Sequence, residues 1–361
     1  MQNVKTPRIY VDYLSWLSAL GFDVKPDNIG VGFNVDKIYS EESTVGAESI
    51  CNFGWSGDAA NEAGYRLFPK ELKLNFMSVL GHNFSNALIA PHFHIKADDD
   101  GYTNSNPDKS NIANCGAISG PTFIADYDGF SIMELIDGSN FSVDGQNTDI
   151  MLASLWISSG QDFGEGFNFK VGSWAIGSFY DFPHSPDLSL TMSIENDGIT
   201  TQQTTGGSTL TNMRYSGPPK WGSDLGAWEL GDGSTASTLG ARTGRRVWNL
   251  TFSYLTDKNV LPINALGNTV FDINNASSYD STDYSTDSTQ FESNVLDGSD
   301  FFSSVWSKTM GVGNLPFIFQ PDKDNNSPDQ FAICRWDMNS LDVKQVAYNT
   351  YTISLKIREV W

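Results

Sequence analysis

Apolar and polar residues alternate with period two through most of the chain, the pattern of strands with one face buried and the other in water. In DLSLTMSIEND, Leu188, Leu190, Met192 and Ile194 fall on one side and Ser189, Thr191, Ser193 and Glu195 on the other. RRVWNLTFSYL sets Trp248, Leu250, Phe252 and Tyr254 against Asn249, Thr251 and Ser253. TISLKIREVW likewise sets Ile353, Leu355 and Ile357 against Thr352, Ser354, Lys356 and Arg358. The same reading predicts strands over residues 9–16, 72–80 and 331–338.

Helix is scarce. SDFFSSVWSKTMG is the clearest candidate, with Ser299 or Asp300 to cap its start, Phe302, Val305 and Trp306 at helical spacing, and Gly311 to close it. Gly, Asn, Asp and Ser fill the gaps between strands, as the turns of an antiparallel protein require. Residues 97–116 and 274–294 are polar, acidic and aperiodic, which reads as exposed loop, and the second is a candidate assembly contact. No repeat of fixed period is present, so propellers and solenoids are disfavoured. The expected class is all-β and antiparallel.

Composition adds that the chain buries a core. Of 361 residues, 39% are hydrophobic and 13% aromatic, too apolar for a disordered polymer and long enough for two domains. Lys and Arg total 22 against 43 Asp and Glu, a formal charge of -21, which disfavours nucleic acid and anionic lipid as partners. Cys51, Cys115 and Cys334 form no CxxC pair and read as buried free thiols. The start of the chain lacks a secretory leader and no later stretch has the length of a membrane span, so synthesis and retention in a cytoplasm are expected.

The chemistry-bearing residues are few. His92 and His94 leave the same side of a strand, with His82 and Asp98 near in sequence, but satisfied histidines explain them better than a metal. Asp322, Asp324 and Asn326 have the alternating spacing of calcium ligands. They lack the Gly and Glu of a complete loop, so a turn is the better reading. There is no GxSxG elbow, no Cys beside a motif His and no phosphate loop, and no enzyme activity or cofactor is expected. Arg242, Arg245 and Arg246 form a basic cluster in an acidic chain, read equally as a solvated strand end or as a complement to acidic surface on a neighbour.

These segments resemble parts of phage tail proteins. LNFMSVLGHNFSNA, residues 74–87, resembles the strand and Gly-His-Asn turn of galactose-binding-like jelly-roll modules. VGSWAIGSFYDFPHSPDLSLTMSIENDG, TTGGSTL and RRVWNLTFSYL are similar to the strands that follow there. Residues 299–361 resemble the closing region of distal tail and tail-hub proteins: a short helix, a Leu-Pro-Phe strand, a Phe-Ala-x-x-Arg strand and an ending near Arg-Glu-Val.

The resemblance implies a virion structural protein that forms rings of six or three copies about the tail axis, contacts other tail proteins and has no catalytic residues. On this reading residues 1–40 and 241–361 build an assembly domain and residues 41–240 a jelly-roll-like β-sandwich. The candidate interface comprises Arg242, Arg245, Arg246 and Trp361. One alternative is a receptor-binding module stacking Trp221 and Trp228 on host glycan. The other, ranked lowest, is a polysaccharide depolymerase.

Overall fold

The computed structural model describes residues 4–20, 30–31, 42–44, 48–53, 75–82, 90–97, 118–119, 129–134, 150–158, 169–195, 199–213, 244–261, 299–311, 315–327 and 330–360. Strands are numbered in chain order. One large sheet runs β12 (Thr191–Glu195), β15 (Arg245–Leu255), β19 (Thr350–Glu359), β17 (Ala332–Trp336), β16 (Phe317–Gln320), β1 (Arg8–Asp12), β11 (Ser173–Asp181), β5 (Phe76–His82) and β8 (Gly129–Glu134). Onto it β18 (Val343–Ala347) adds beside β19, and β2 (Gly30–Val31) beside β11. A second sheet orders β4 (Glu48–Phe53), β9 (Ile150–Ser158), β6 (Ala90–Ala97) and β7 (Ile118–Ser119). Two pairs stand apart: β3 (Glu42–Thr44) with β10 (Phe169–Val171), and β13 (Ile199–Gln203) with β14 (Thr209–Met213).

The protein is thus all-β and sandwich-like. Pairing is antiparallel apart from β2 on β11. The described helical segments are short: α1 (Tyr13–Ala19), α2 (Asp257–Val260) and a π-type turn at Phe302–Trp306.

Alternation places a distinct apolar cluster on each face of the large sheet. One face carries Ile9, Val11, Ile176, Trp248, Leu250, Phe252, Phe319, Ile353, Leu355 and Ile357, covered by α1 and the 301–305 turn. The other carries Tyr10, Phe76, Leu80, Phe130, Ala175, Ile318 and Ile333, and is apolar only from β17 to β8. At roughly 1.5–3 kcal/mol per buried side chain, the first cluster contributes more than the second among the described residues.

Strands of the 41–240 range, namely β5, β8, β11 and β12, belong to the same sheet as β1 and β15–β19. The expected boundary at residue 240 therefore does not coincide with a boundary between sheets.

Three local expectations are corrected. The strand expected over residues 9–16 stops at Asp12, whose carboxylate accepts the N–H groups of Leu14 (3.1 Å) and Ser15 (2.9 Å) and so caps α1. Tyr13, Leu14, Trp16 and Leu17 are apolar at helical spacing as well, and all four are buried by the helix. Leu188 lies in a turn before β12 and is fully exposed. Tyr254 leaves the face of Trp248, Leu250 and Phe252 because the β15–β19 register shifts between Phe252 and Leu255, and its φ of 61° turns it into solvent.

In the expected helix, Asp300 accepts the N–H of Ser303 (2.8 Å), while Phe301 and Val305, not Phe302, supply the buried side. Gly311, at φ 61°, closes it.

Gly177 fixes the approach of β1 to β11. A Cβ there would stand 1.9 Å from the Val11 carbonyl oxygen, a backbone atom with no rotamer to escape into. Gly177→Ala is expected to lower the urea midpoint by more than a surface substitution does, equivalent to about 3 kcal/mol or more. An unchanged midpoint would contradict the close approach.

Candidate assembly surface

The edge strand β12 is only half covered, and the chain continues from it into the β13–β14 hairpin. This hairpin pairs Ile199 with Met213 through Gln203 with Thr209 and joins no other strand among the described residues. Its turn is well made. Thr204 N–H donates to the Ser208 carbonyl (2.9 Å), Gly207 N–H to the Thr204 carbonyl (2.9 Å), and Gly207 takes the positive φ of 82° that the reversal needs.

Every residue from 200 to 212 is exposed. A lone two-stranded ribbon in water is marginal at best, and neither of its outer edges is paired by another strand among the described residues. Its sequence, ITTQQTTGGSTLTNM, holds no ionisable side chain in a chain that is 18% charged.

A second exposed group forms at the other end of β12. Asp187 N–H donates to the Thr251 carbonyl (2.7 Å) and Ser253 Oγ donates to Asp187 Oδ2 (2.6 Å). Asp257 N–H donates to Asn349 Oδ1 (3.0 Å) in the β18–β19 turn. These bonds tie three loops together and gather the exposed Leu188, Tyr254, Val346 and Tyr348 at one end of the sheet.

The candidate interface arginines separate. Neighbours in a strand face opposite ways, so Arg245 sits on the outward face opposite Glu195, whereas Arg246 points inward. Arg246 is a correction: it is only 2% exposed and engaged internally with Glu359, also 2% exposed. Its N–H and Nε donate to Glu359 Oε2 (3.0 and 2.9 Å), and Nη2 donates to Oε1 (2.8 Å) and to the Phe331 carbonyl (2.9 Å). It therefore offers nothing to a neighbouring subunit. Arg242, Trp361, Trp221 and Trp228 lie outside the described residues, as do residues 98–116 and 274–294.

Of the residues weighed for chemistry, His82, Asp322, Asp324 and Asn326 are engaged in internal bonds. His82 is buried, with Nε2 2.6 Å from Ser131 Oγ. His92 and His94 lie on β6. Asp322 pairs with Lys5 (3.0 Å) and accepts the Asp324 N–H (3.2 Å), while Asn326 Oδ1 accepts from Gln320 Nε2 (3.2 Å), which makes this segment a bonded turn. Burial holds the Cys334 thiol well above its ordinary value, the Glu359 charge adding to this and Arg246 opposing it.

A polar cluster the sequence did not signal surrounds Arg8. Arg8 Nη2 donates to Asp181 Oδ2 (2.9 Å) and Nη1 to Glu134, and the guanidinium stacks 3.8 Å from the Phe179 ring centroid. Tyr10 OH donates to Gln320 Oε1 (2.8 Å). Burial is the largest single influence and opposes the charge on Arg8, but the bonds and attraction from Asp181 and Tyr10 together outweigh it and raise its pKa. The cluster joins β1, β8, β11 and β16 across the sheet and so acts as a structural tie.

Comparison with protein-family models, with curated proteins and with solved structures gave no match.

Proposed function

We propose that the chain is a structural subunit of a phage tail. It closes with copies of itself into a ring of the distal-tail or hub kind and joins the tail tube to the tip or adhesion apparatus. The β13–β14 hairpin carries the reading. An uncharged ribbon exposed from residue 200 to 212, with no partner strand on either edge among the described residues, is costly to a solitary chain and becomes useful when a neighbour covers it. The exposed Leu188, Tyr254 and Tyr348 at the far end of β12 add apolar surface of the same kind. The segments whose residues resemble tail proteins form β5, β11, β12, β15, β16, β17, β18 and β19 of the large sheet, and TTGGSTL forms the turn of the hairpin and the start of β14.

Excising residues 200–212 tests the proposal. Because the hairpin packs on nothing else described, the fold should keep its stability to within about 0.5 kcal/mol, while light scattering should report a monomer. Electron microscopy of the intact chain should show closed rings, and mass spectrometry should find it in purified virions. A full-length chain that is monomeric at every concentration, or is missing from virions, refutes the reading.

A further inference from the structure

We propose that the β13–β14 arm of one copy adds as an extra strand, through β14, to the outer edge of β12 in a second copy. This rests on the self-assembly reading above and names the acceptor that the arm takes.

The acceptor is marked by an apolar residue left half in water. β12 ends the large sheet and is paired by β15 alone among the described residues. Its register sets Met192 opposite Trp248 and Ile194 opposite Arg246, and Trp248 and Arg246 both point inward, so Ile194 lies on the core side of the sheet as well. Leu190 and Met192 pack against the larger apolar cluster, yet Ile194 is 47% exposed. No strand beyond β12 carries the cover further among the described residues.

The other described edges suit an incoming strand less well. At the far end of the sheet β8 has Phe130 and Ser131 buried, so that end is closed in. β18 carries Lys344 and a register shift between Gln345 and Ala347, two devices that deter strand addition. On β12 the one charge, Glu195, reaches across β15 to within 3.2 Å of Arg358 Nε on β19, away from the edge.

The arm supplies a strand that fits. β14 has five residues, as β12 has, and its Leu210 is 59% exposed. Laid beside β12, it extends the backbone ladder by one strand and sets Leu210 against Ile194, taking both out of water.

The supplier is a sister copy. One molecule holds both the ribbon and the edge and does not join them: β12 ends at Glu195 and β13 begins at Ile199, but β13 and β14 pair only with each other among the described residues. Exchange between copies brings the two together with no further component. Charge points the same way. Two chains of formal charge -21 repel, and residues 199–213 hold no ionisable side chain, so a sister copy accepts this stretch without opposing like charges.

Sedimentation of the full-length chain and its variants tests the pairing. Ile194→Glu places a charge on the acceptor and Leu210→Glu places one on the arm, and each should raise the dissociation constant at least about tenfold. Ser193→Glu, at an exposed position of β12, stands in for Ile194→Glu if the latter melts below wild type. The deciding sample is a mixture of the chain lacking residues 200–212, which keeps β12, with Ile194→Glu, which keeps the arm. Each alone should be monomeric, and together they should form a one-to-one complex.

A wild type that stays monomeric ends the self-assembly reading itself. A wild type that associates, with Ile194→Glu and Ser193→Glu associating equally well, leaves that reading standing and overturns this inference, since the arm then docks elsewhere or on another arm. A mixture that remains monomeric overturns it too, because arm and edge would then both be needed but not for each other.

Discussion

A chain ending at Tyr351 is expected to show no cooperative unfolding transition and to form no rings. The missing residues are most of β19, which lies between β15 on one edge and β17 and β18 on the other. Its loss removes Ile353, Leu355 and Ile357 from the larger apolar cluster, at roughly 1.5–3 kcal/mol each. It also leaves Arg246 buried without Glu359, at about 3–5 kcal/mol. Together these rival the 5–15 kcal/mol or so that holds a typical domain folded. Urea titration followed by tryptophan fluorescence reads the first outcome and light scattering the second. A truncated chain with a sigmoidal transition and ring-sized mass would contradict both.

The second large effect belongs to the Arg246–Glu359 pair. Glu359→Gln preserves the outline of the side chain and removes the charge that compensates the guanidinium. At 2% exposure no water is present to take over. The expected loss is about 3–5 kcal/mol in a urea melt, whereas replacing both residues by Met should cost much less than the two single changes added together. A loss below about 1 kcal/mol for Glu359→Gln would mean that the pair contributes little to the fold. Because neither residue meets solvent, association measured well below the melting range should be unaffected.

Where one face is buried and the other wet, the strands were legible. Trp248, Leu250 and Phe252, and Ile353, Leu355 and Ile357, lie where alternation puts them because burial selects every second residue. Asp12 misleads the eye: Tyr13, Leu14, Trp16 and Leu17 suit a helix or a strand, and the carboxylate cap decides it. Tyr254 was misplaced by a bulge, a backbone event with no compositional mark. The arm was readable only as a Gly turn, since a ribbon with two wet faces has no apolar period to detect. Of the Arg242–Arg246 cluster, the alternation in RRVWNLTFSYL already set Arg246 on the side of Trp248 and Leu250 and Arg245 on the side of Asn249, but not the partner of the buried charge. That required the pairing of β15 with β19, which brings Glu359 to Arg246.

The position of β1 has a bearing on timing. It is inserted between β11 and β16, and Tyr10 bonds Gln320, 310 positions further along. During translation, then, β1 lacks its β16 neighbour until the ribosome has passed Gln320, and β15 lacks its β19 neighbour until Glu359 has emerged. Such distant pairings make a chain slow to reach its native form and dependent on chaperones meanwhile. They also mean that β15 and β17, which flank β19, share no neighbour until residues 350–359 have been made.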